Sequence, residues 1–463
     1  MAVVPDLYTD LAQTIPTVRE EFEHCLSELV QIPTVSMDPA HSADIQRGAH
    51  TAAALLQRCG AMATIIDTPG NPVVFGQFAV NPAYPTLAIY NHLDVQPANE
   101  PQWQHDPFVF QRDGDRYLGR GTTDDKGPAL TALFAARFAV RHGLPLNIQF
   151  IWELEEEIGS PNFAHFVEHQ REQLTCNSVL VSDTVWLSRT TPAIPYGLRG
   201  MLTMTLKLVT GSKDCHSGLT GGAARNPVGE LADLIARCYD ARTGRVSIPG
   251  FYEDVRPLSK AELDNFLSSG FDLPTFMDVH GLHTLRSKNV RQIVQAIWSE
   301  PTFEVHGISG GYQGPGIKTI VPHAAEAKLS MRLVPDQDPE RLLALVQDFI
   351  QRQHPDVEVL PGGFLRPYLG AFSGLYGDAV REAVRFGFGQ TPSFIREGGS
   401  IGAVVTLDQL LQVPVVFLGL SLPEHGYHAP NEYFDWGQAS GGMRAFVKYF
   451  DLLAHRSMHD GLD

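Results

Sequence analysis

The chain has 463 residues, a formal charge of −17, 43% hydrophobic residues and 19% charged residues. That length exceeds one usual core, so two domains are expected, and the composition is that of an ordinary globular protein. The acidic balance argues against a nucleic-acid or anionic-membrane surface, because phosphate recognition needs clustered Lys and Arg. No run of about 18 apolar residues is present, so no membrane span is expected. The opening residues lack a basic stretch followed by an apolar one, so no signal peptide is read there. The five cysteines, Cys25, Cys59, Cys176, Cys215 and Cys238, are scattered and lack CxxC spacing. They fit a reduced cytoplasmic setting better than a disulfide framework.

In chain order, an amphipathic helix is predicted over 17–30, with Leu26, Leu29 and Val30 on one side, and a second helix over 42–58. Short apolar strands then alternate with helices to about residue 186, and the Ala- and Phe-rich helix at 128–142 reads as a buried crossover. Such alternation builds a mostly parallel sheet covered on both faces. The pattern changes near residue 197. Residues 201–208 alternate strictly, with Thr203, Thr205 and Lys207 on the polar side, and residues 326–333 do the same with Lys328, Ser330 and Arg332. Period two with a polar side describes a sheet showing one face to water or to a partner. Helices at 226–240 and 338–353 accompany these strands. An apolar strand returns at 412–420, and a closing helix follows at 436–455. The predicted fold is α/β: a first domain with a mostly parallel central sheet, split between 1–196 and 373–463, and an α+β domain inserted at 197–372. Residues 245–300, with Pro, Gly and acidic turns around one helix at 259–268, resist assignment.

Side chains that bind metals recur at or just past strand ends. His92 follows the apolar residues 86–90, Glu156 and Glu157 follow 148–152, Asp183 closes 179–182, and His428 lies shortly after 415–418. Asp124 sits in the Gly-rich loop 119–127 just before a helix. Open α/β sheets bind ligands at the carboxyl ends of their strands, where residues distant in sequence converge. Two histidines with carboxylates form an N/O donor set suited to Zn²⁺ or Mn²⁺. Asp94, two residues past His92, can orient His92 or a neighbouring ligand. Within Glu155-Glu156-Glu157, one carboxylate can bind metal while another takes a proton from an acidified water and returns it to a leaving amine. Asp124 can bridge two cations ~3.5–4 Å apart. Gly119, Gly121 and Gly127 would let the backbone pass close by.

Each of these residues also has a plainer reading. His92 could be a satisfied core histidine, 155–157 a solvated acidic run, 124–126 a turn at a helix start, and His216 a cap for its own loop. The joint placement at strand ends favours the metal reading for the first three. His216 lies in the inserted domain, so it would reach a substrate carbonyl only by domain closure or from another subunit. Cys215 beside His216 offers a thiolate nucleophile, although most cysteines are small buried hydrophobes. A rival of another kind is Gly398-Gly-Ser-Ile-Gly402, which matches a nucleophile elbow and would make Ser400 the nucleophile, with Asp408 and His428 following. Against it, residues 394–397 read as a poor buried strand, and Asp408 follows Ser400 by only eight residues. It would also leave His92, Asp124, Glu156, Glu157 and Asp183 without a role.

In order, these segments resemble the M20 metallopeptidase family, in particular its cytosolic carnosinase-like dipeptidase branch. The motifs are HLDVQP at 92–97, GRGTTDDKG at 119–127, EEIGS at 156–160, SD at 182–183, HSGLTGG at 216–222 and HAPNE at 428–432. Lesser matches are GYQGPGIKT at 311–319, MRLVP at 331–335 and REGGSI at 396–401. The resemblance implies two divalent metal ions per subunit, Zn²⁺ first and Mn²⁺ second. His92, Asp124 and Asp183 would hold one, and Asp124, Glu157 and His428 the other, with a cis peptide at 124–125. It implies that Glu156 is the general base and Asp94 an orienting carboxylate. The inserted domain would be a lid and homodimer interface, with His216 stabilising the oxyanion in the partner's site. Thr319, Arg332, Gly399 and Ser400 match substrate-contacting positions, and a guanidinium fork at Arg332 suits a free carboxylate. Thr220 and Gly402 depart from the family pattern near the expected substrate. The expected activity is hydrolysis of the peptide bond of dipeptides or similar small amides. Alternatives are an N-acyl-amino-acid deacylase or glutamate-type carboxypeptidase of the same fold, or a non-catalytic metal- or peptide-binding protein. The presence of Glu156 argues against the last.

Overall fold

The computed structural model describes residues 6–456. Its central sheet has six strands in the order Met62–Ile66, Val73–Phe78, Asn147–Glu153, Thr86–His92, Ser178–Val181 and Val415–Phe417. The last four run parallel. The first two form an antiparallel edge. Asn147–Glu153 is buried throughout and Thr86–His92 nearly so, as expected of strands covered on both faces. One covering element is the helix Gly127–Arg141, buried from Gly127 to Ala139. The closing helix Trp436–Arg456 packs on it. Arg19–Val30 buries Leu26, Leu29 and Val30 as the sequence implied. A further helix, Leu7–Thr17, precedes it; its short stripe of Leu11 and Ile15 ends at Pro16, which masked the signal.

The inserted unit is an antiparallel sheet in the order Glu304–Gly310, Ala324–Leu333, Gly200–Val209 and Glu358–Leu365. Leu202, Met204, Leu206 and Leu208 point inward, and Leu231, Leu234, Leu342, Val346 and Ile350 of two helices cover them in a core of their own. The alternate positions Thr203, Thr205 and Lys207 face outward.

Residues 245–300 contain three helices, Lys260–Leu267, Leu273–Val279 and Val290–Trp298. The first opens with a capping box between Ser259 and Glu262, which satisfies two helix-end donors reciprocally. Phe266, Val294 and Trp298 enter the core of the central sheet, although they lie within 197–372. They cover a small sheet of Tyr368–Leu369, Ala193–Leu198 and Ser393–Glu397. The expectation for 394–397 is corrected here. This stretch is a strand, parallel to Ala193–Leu198, with Phe394, Ile395 and Arg396 buried. The charge of Arg396 disguised it: the guanidinium pairs with Glu262 and lies 5.7 Å from the ring centroid of Tyr196. Among the described residues no helix is long and apolar enough to cross a membrane.

Phe266 is fully buried and meets Trp298 at 5.1 Å between ring centroids. Phe266→Ala is expected to cost ~3–5 kcal/mol, read as a lower denaturant midpoint for the transition of the central-sheet core.

Candidate metal centre and substrate cleft

The parallel strands end at one edge, and that edge carries the site. His92 is the last residue of its strand and sits in register with Glu153, so the turn holding Glu156 and Glu157 emerges beside it. Asp183 lies just past Ser178–Val181. Asp124 faces one imidazole with each oxygen: Oδ1 is 2.9 Å from His92 Nε2, and Oδ2 is 2.9 Å from His428 Nε2. His428 Nε2 is 3.2 Å from Glu157 Oε2, and His92 Nε2 is 3.8 Å from Asp183 Oδ2. Two donor groups result, His92 with Asp125 and Asp183, and Asp124 with Glu157 and His428, each with its donor atoms within 4.8 Å of one another. The peptide between Asp124 and Asp125 is cis.

Asp125 Oδ1 is buried without a hydrogen-bond partner among the described residues, and buried Asp124 Oδ2 faces the His428 imidazole at 2.9 Å. Buried anionic oxygens are costly when unpaired. Here they converge with imidazole nitrogens into donor sets that divalent cations take, so the residues fit two such ions.

Several neighbours fix these donors. The backbone carbonyl of Asp94 accepts from His92 Nδ1 at 3.0 Å, so a cation that displaced the Nε2 proton would meet the Nε2 lone pair facing the cluster. The Asp94 carboxylate accepts the N–H groups of Glu156 and Glu157 at 3.1 and 3.0 Å. Asp94 therefore orients both His92 and the acidic turn, through different atoms. Gln96 donates to both oxygens of Glu157, from its backbone at 3.1 Å and its side chain at 2.6 Å. Glu432 accepts the N–H groups of Gly121, Thr123 and Asp124 and the Arg120 guanidinium, pinning the Gly-rich loop. Gly121 is required there, with φ at +85° and a would-be Cβ 2.6 Å from Val95.

Electrostatics follow from burial of like charges. Burial raises Glu156 well above the usual carboxylate range; Asp183 and Glu157 add to this and His92 opposes it. Burial likewise raises Asp183 and Glu157. Burial also acts to raise Asp124, but hydrogen bonds from His428 and His92 outweigh it and hold the group low. His428 is raised to about 11: burial opposes the charge, while Asp124 and Glu157 favour it more strongly. Cations binding here would displace those protons, so uptake should release protons.

Thr319 and His216 lie together in the inserted unit, where the Thr319 carbonyl accepts the Ser217 N–H at 3.0 Å. His216 Nδ1 accepts the Gly218 N–H at 2.8 Å, so Nε2 carries the hydrogen. The ring is exposed, and among the described residues no hydrogen bond joins it to the metal cluster. A second gathering holds Arg332, Ser400 and Gly399. Arg332 donates to Ser400 Oγ at 3.1 Å, Ser400 donates to the Arg199 carbonyl, and the Arg199 N–H donates to Gly399 at 3.1 Å. Gly402 packs so near Gly159 that a Cβ would lie 2.8 Å from its carbonyl, which seats this turn on the Glu156 turn. The nucleophile reading of Ser400 fails on partners rather than on backbone: its hydroxyl proton is given to a carbonyl, and Asp408 is exposed on the following helix.

The sequence reading passed over Asp125, Gln96, Glu432, Tyr427, Arg199 and Glu397. Glu397 closes the strand Ser393–Glu397, and its Oε2 is buried without a partner. Burial pushes it up to about 8, Asp183 adding and a hydrogen bond from the Val185 backbone offsetting. The strand-end rule that located the other carboxylates would have located Glu397 too, had residues 393–397 been read as a strand.

A mostly parallel α/β sheet with two juxtaposed N/O donor sets at its carboxyl edge and an adjacent carboxylate outside both sets, that of Glu156, defines a metal-dependent hydrolase. The profile of Peptidase family M20/M25/M40 matches residues 88–451, and the chain belongs to that family. It is 29% identical to Beta-Ala-His dipeptidase of Homo sapiens, over 97% of this chain and 93% of that protein. To Cys-Gly metallodipeptidase dug1 of Schizosaccharomyces pombe it is 30% identical, over 96% of this chain and 98% of that one. The solved M20 family metallo-carboxypeptidase Sso-CP2 from Sulfolobus solfataricus superposes with a TM-score of 0.87 at 31% identity, covering 94% of this chain and 99% of that one.

Glu153 offers a test of this electrostatic setting away from the donor atoms. It is buried, takes hydrogen bonds from Tyr90 at 2.7 Å and Ser160 at 3.1 Å, and is pushed by burial from 4.5 to about 8. A carboxyl raised in the folded state binds its proton there more tightly than when unfolded. Its stabilisation is complete below the unfolded value and is lost as pH rises through the folded one. In chelator, Glu153→Gln is expected to flatten the fall in melting temperature between about pH 5 and about pH 8, as followed by thermal melts.

Proposed function

We propose that the chain is a two-metal dipeptidase, with a catalytic domain drawn from 1–196 and 373–463 and with 197–372, apart from the helices that join the central core, serving as lid and homodimer interface. The observation carrying this reading is that one short segment brings a carboxyl, Glu397, and a hydroxyl that holds a guanidinium from the inserted sheet, Ser400, close together. Glu397 offers a buried, partnerless carboxylate oxygen, and Ser400 sits under the Arg332 guanidinium. Glu397 and Ser400 are three residues apart, so Ser400 gathers the Arg332 guanidinium to the segment that carries Glu397, an arrangement that suits a small peptide with both ends free. Glu397 would take the α-amine and Arg332 the carboxylate, with Gly399 and Thr319 lining the substrate.

His92, Asp124 and Asp183 would hold one cation and Asp124, Glu157 and His428 the other, with Zn²⁺ favoured over Mn²⁺ by the imidazole share of the donors. When bound, such cations acidify water and polarise a carbonyl. Glu156, whose buried surroundings raise its proton affinity, is suited to take a proton and return it to the departing amine. Asp94 keeps Glu156 in place through its N–H. His216, with hydrogen on Nε2, is a ready donor to a developing oxyanion, supplied from the partner subunit. Relatives named for Beta-Ala-His and Cys-Gly hydrolysis support a dipeptide substrate. The free cysteines suit a cytoplasmic setting. Similarity to a metallo-carboxypeptidase favours a second reading, in which the amine end is left unrecognised.

Metal-stripped protein is expected to cleave an unblocked dipeptide only after Zn²⁺ or Mn²⁺ is restored, and to discriminate against its N-acetyl counterpart. Preference for the acetylated form would move the assignment to the deacylases or carboxypeptidases. Glu156→Gln should lower kcat about 10²–10⁴-fold with metal content unchanged. Glu397→Gln should lower kcat/KM about 10²-fold for the free dipeptide while barely affecting the acetylated one; equal effects on both would remove Glu397 from amine recognition.

A further inference from the structure

The five donors proposed above are not equally enclosed. The side chains of His92, Asp124, Glu157 and Asp183 are 1–3% exposed, whereas His428 is 50% exposed. His428 also has a left-handed backbone, with φ at +55°, in a loop after the short helix Pro423–His425. Packing therefore does little to fix its ring. Besides Asp124 and Glu157 at its Nε2, Tyr427 contacts it: the Tyr427 ring stacks on the His428 ring, with centroids 5.1 Å apart and planes 22° from parallel. The same tyrosine donates its hydroxyl to Asp183 Oδ1, across 244 residues of sequence. Asp183 Oδ2 is the oxygen that faces His92.

We propose that Tyr427 is a positioning residue for both cation-binding groups, its hydroxyl acting through Asp183 and its ring through His428. The inference rests on the two-metal reading of the site. A carboxylate free to turn about its Cβ–Cγ bond presents either oxygen or both. With Oδ1 held by the phenol, Asp183 presents Oδ2 alone to the group containing His92. The stacked ring, in turn, keeps His428 Nε2 directed at Asp124 and Glu157. Losing such an outer partner typically costs 10–100-fold in metal affinity. Because Tyr427 serves one group by its hydroxyl and the other by its ring, the two contributions can be removed separately.

The experiment is calorimetric titration of metal-stripped full-length protein with Zn²⁺, and separately with Mn²⁺. The two binding events are assigned from His92→Ala and His428→Ala, and folding is checked by thermal melts in chelator. Tyr427→Phe is expected to weaken the His92 group about 10–100-fold and to leave the His428 group within about threefold. Tyr427→Leu should weaken both. Wild-type affinity at the His92 group in Tyr427→Phe would overturn the role of the hydroxyl, and an unaffected His428 group in Tyr427→Leu would overturn that of the ring. Should the leucine variant fold poorly, Tyr427→Met removes the ring with less loss of volume and decides the His428 half, while Asp183→Asn combined with Tyr427→Phe tests the hydroxyl independently. The hydroxyl's effect should vanish once its acceptor is changed, and simple additivity would sink the proposal. A wild-type protein that takes up fewer than two cations would refute the two-metal reading itself, before any variant is compared.

Discussion

Crowding Asp124, Asp125, Glu156, Glu157 and Asp183 at one buried sheet edge is the constraint on which the rest of the structure depends. Like charges out of water repel strongly and raise one another's proton affinity, as burial does at Glu156, Glu157 and Asp183. Such a cluster persists only with compensating positive charge and with each carboxylate held by the frame around it. His92 and His428 supply part of that charge, one to each oxygen of Asp124. Divalent cations in the same donor sets would supply more, which is why the fold reads as one built around metal.

The frame is made largely of hydrogen bonds from residues that hold no donor atom of their own. Asp94 fixes the His92 tautomer with its carbonyl and the Glu156–Glu157 turn with its carboxylate. Gln96 clamps Glu157, and Glu432 gathers the amides of the Gly-rich loop. These groups sit on segments far apart in the chain, so donor geometry depends on the whole central sheet having formed. A carboxylate orienting backbone N–H groups also keeps buried amides satisfied, so the same bonds serve stability and chemistry.

The proposed substrate side is organised by the small sheet and the turn that follows it. Ser393–Glu397 delivers Glu397 toward Asp183, and the 398–402 turn rests on Gly159 beside Glu156. Arg332 comes from the inserted sheet, where Leu333 pairs with Gly200 and so brings Arg332 close to Arg199. Burial lowers both guanidinium pKa values, that of Arg199 to about 10. On the proposed reading, cationic side chains beside an anionic cluster would orient a short zwitterionic ligand by its two ends.

Much of this was legible in the sequence, because period and strand-end position report local physics. Buried parallel strands read as apolar runs, half-covered strands alternate, and donor residues follow apolar runs, so His92, Asp124, Glu156, Glu157, Asp183 and His428 stood out together. The strand at 393–397 did not, because buried Arg396 looks like a surface residue until Glu262 and Tyr196 are placed around it. With that strand went Glu397. Phe266 and Trp298 joined the central core rather than that of the inserted unit, which no local pattern states. The sequence by itself determined the donor chemistry and the two kinds of sheet, since both are written in residue type and short-range spacing. Only the tertiary structure decided which oxygen of each carboxylate is free, which tautomer each imidazole holds, and that Tyr427 touches Asp183 and His428 at once, because those depend on partners brought together from segments hundreds of residues apart.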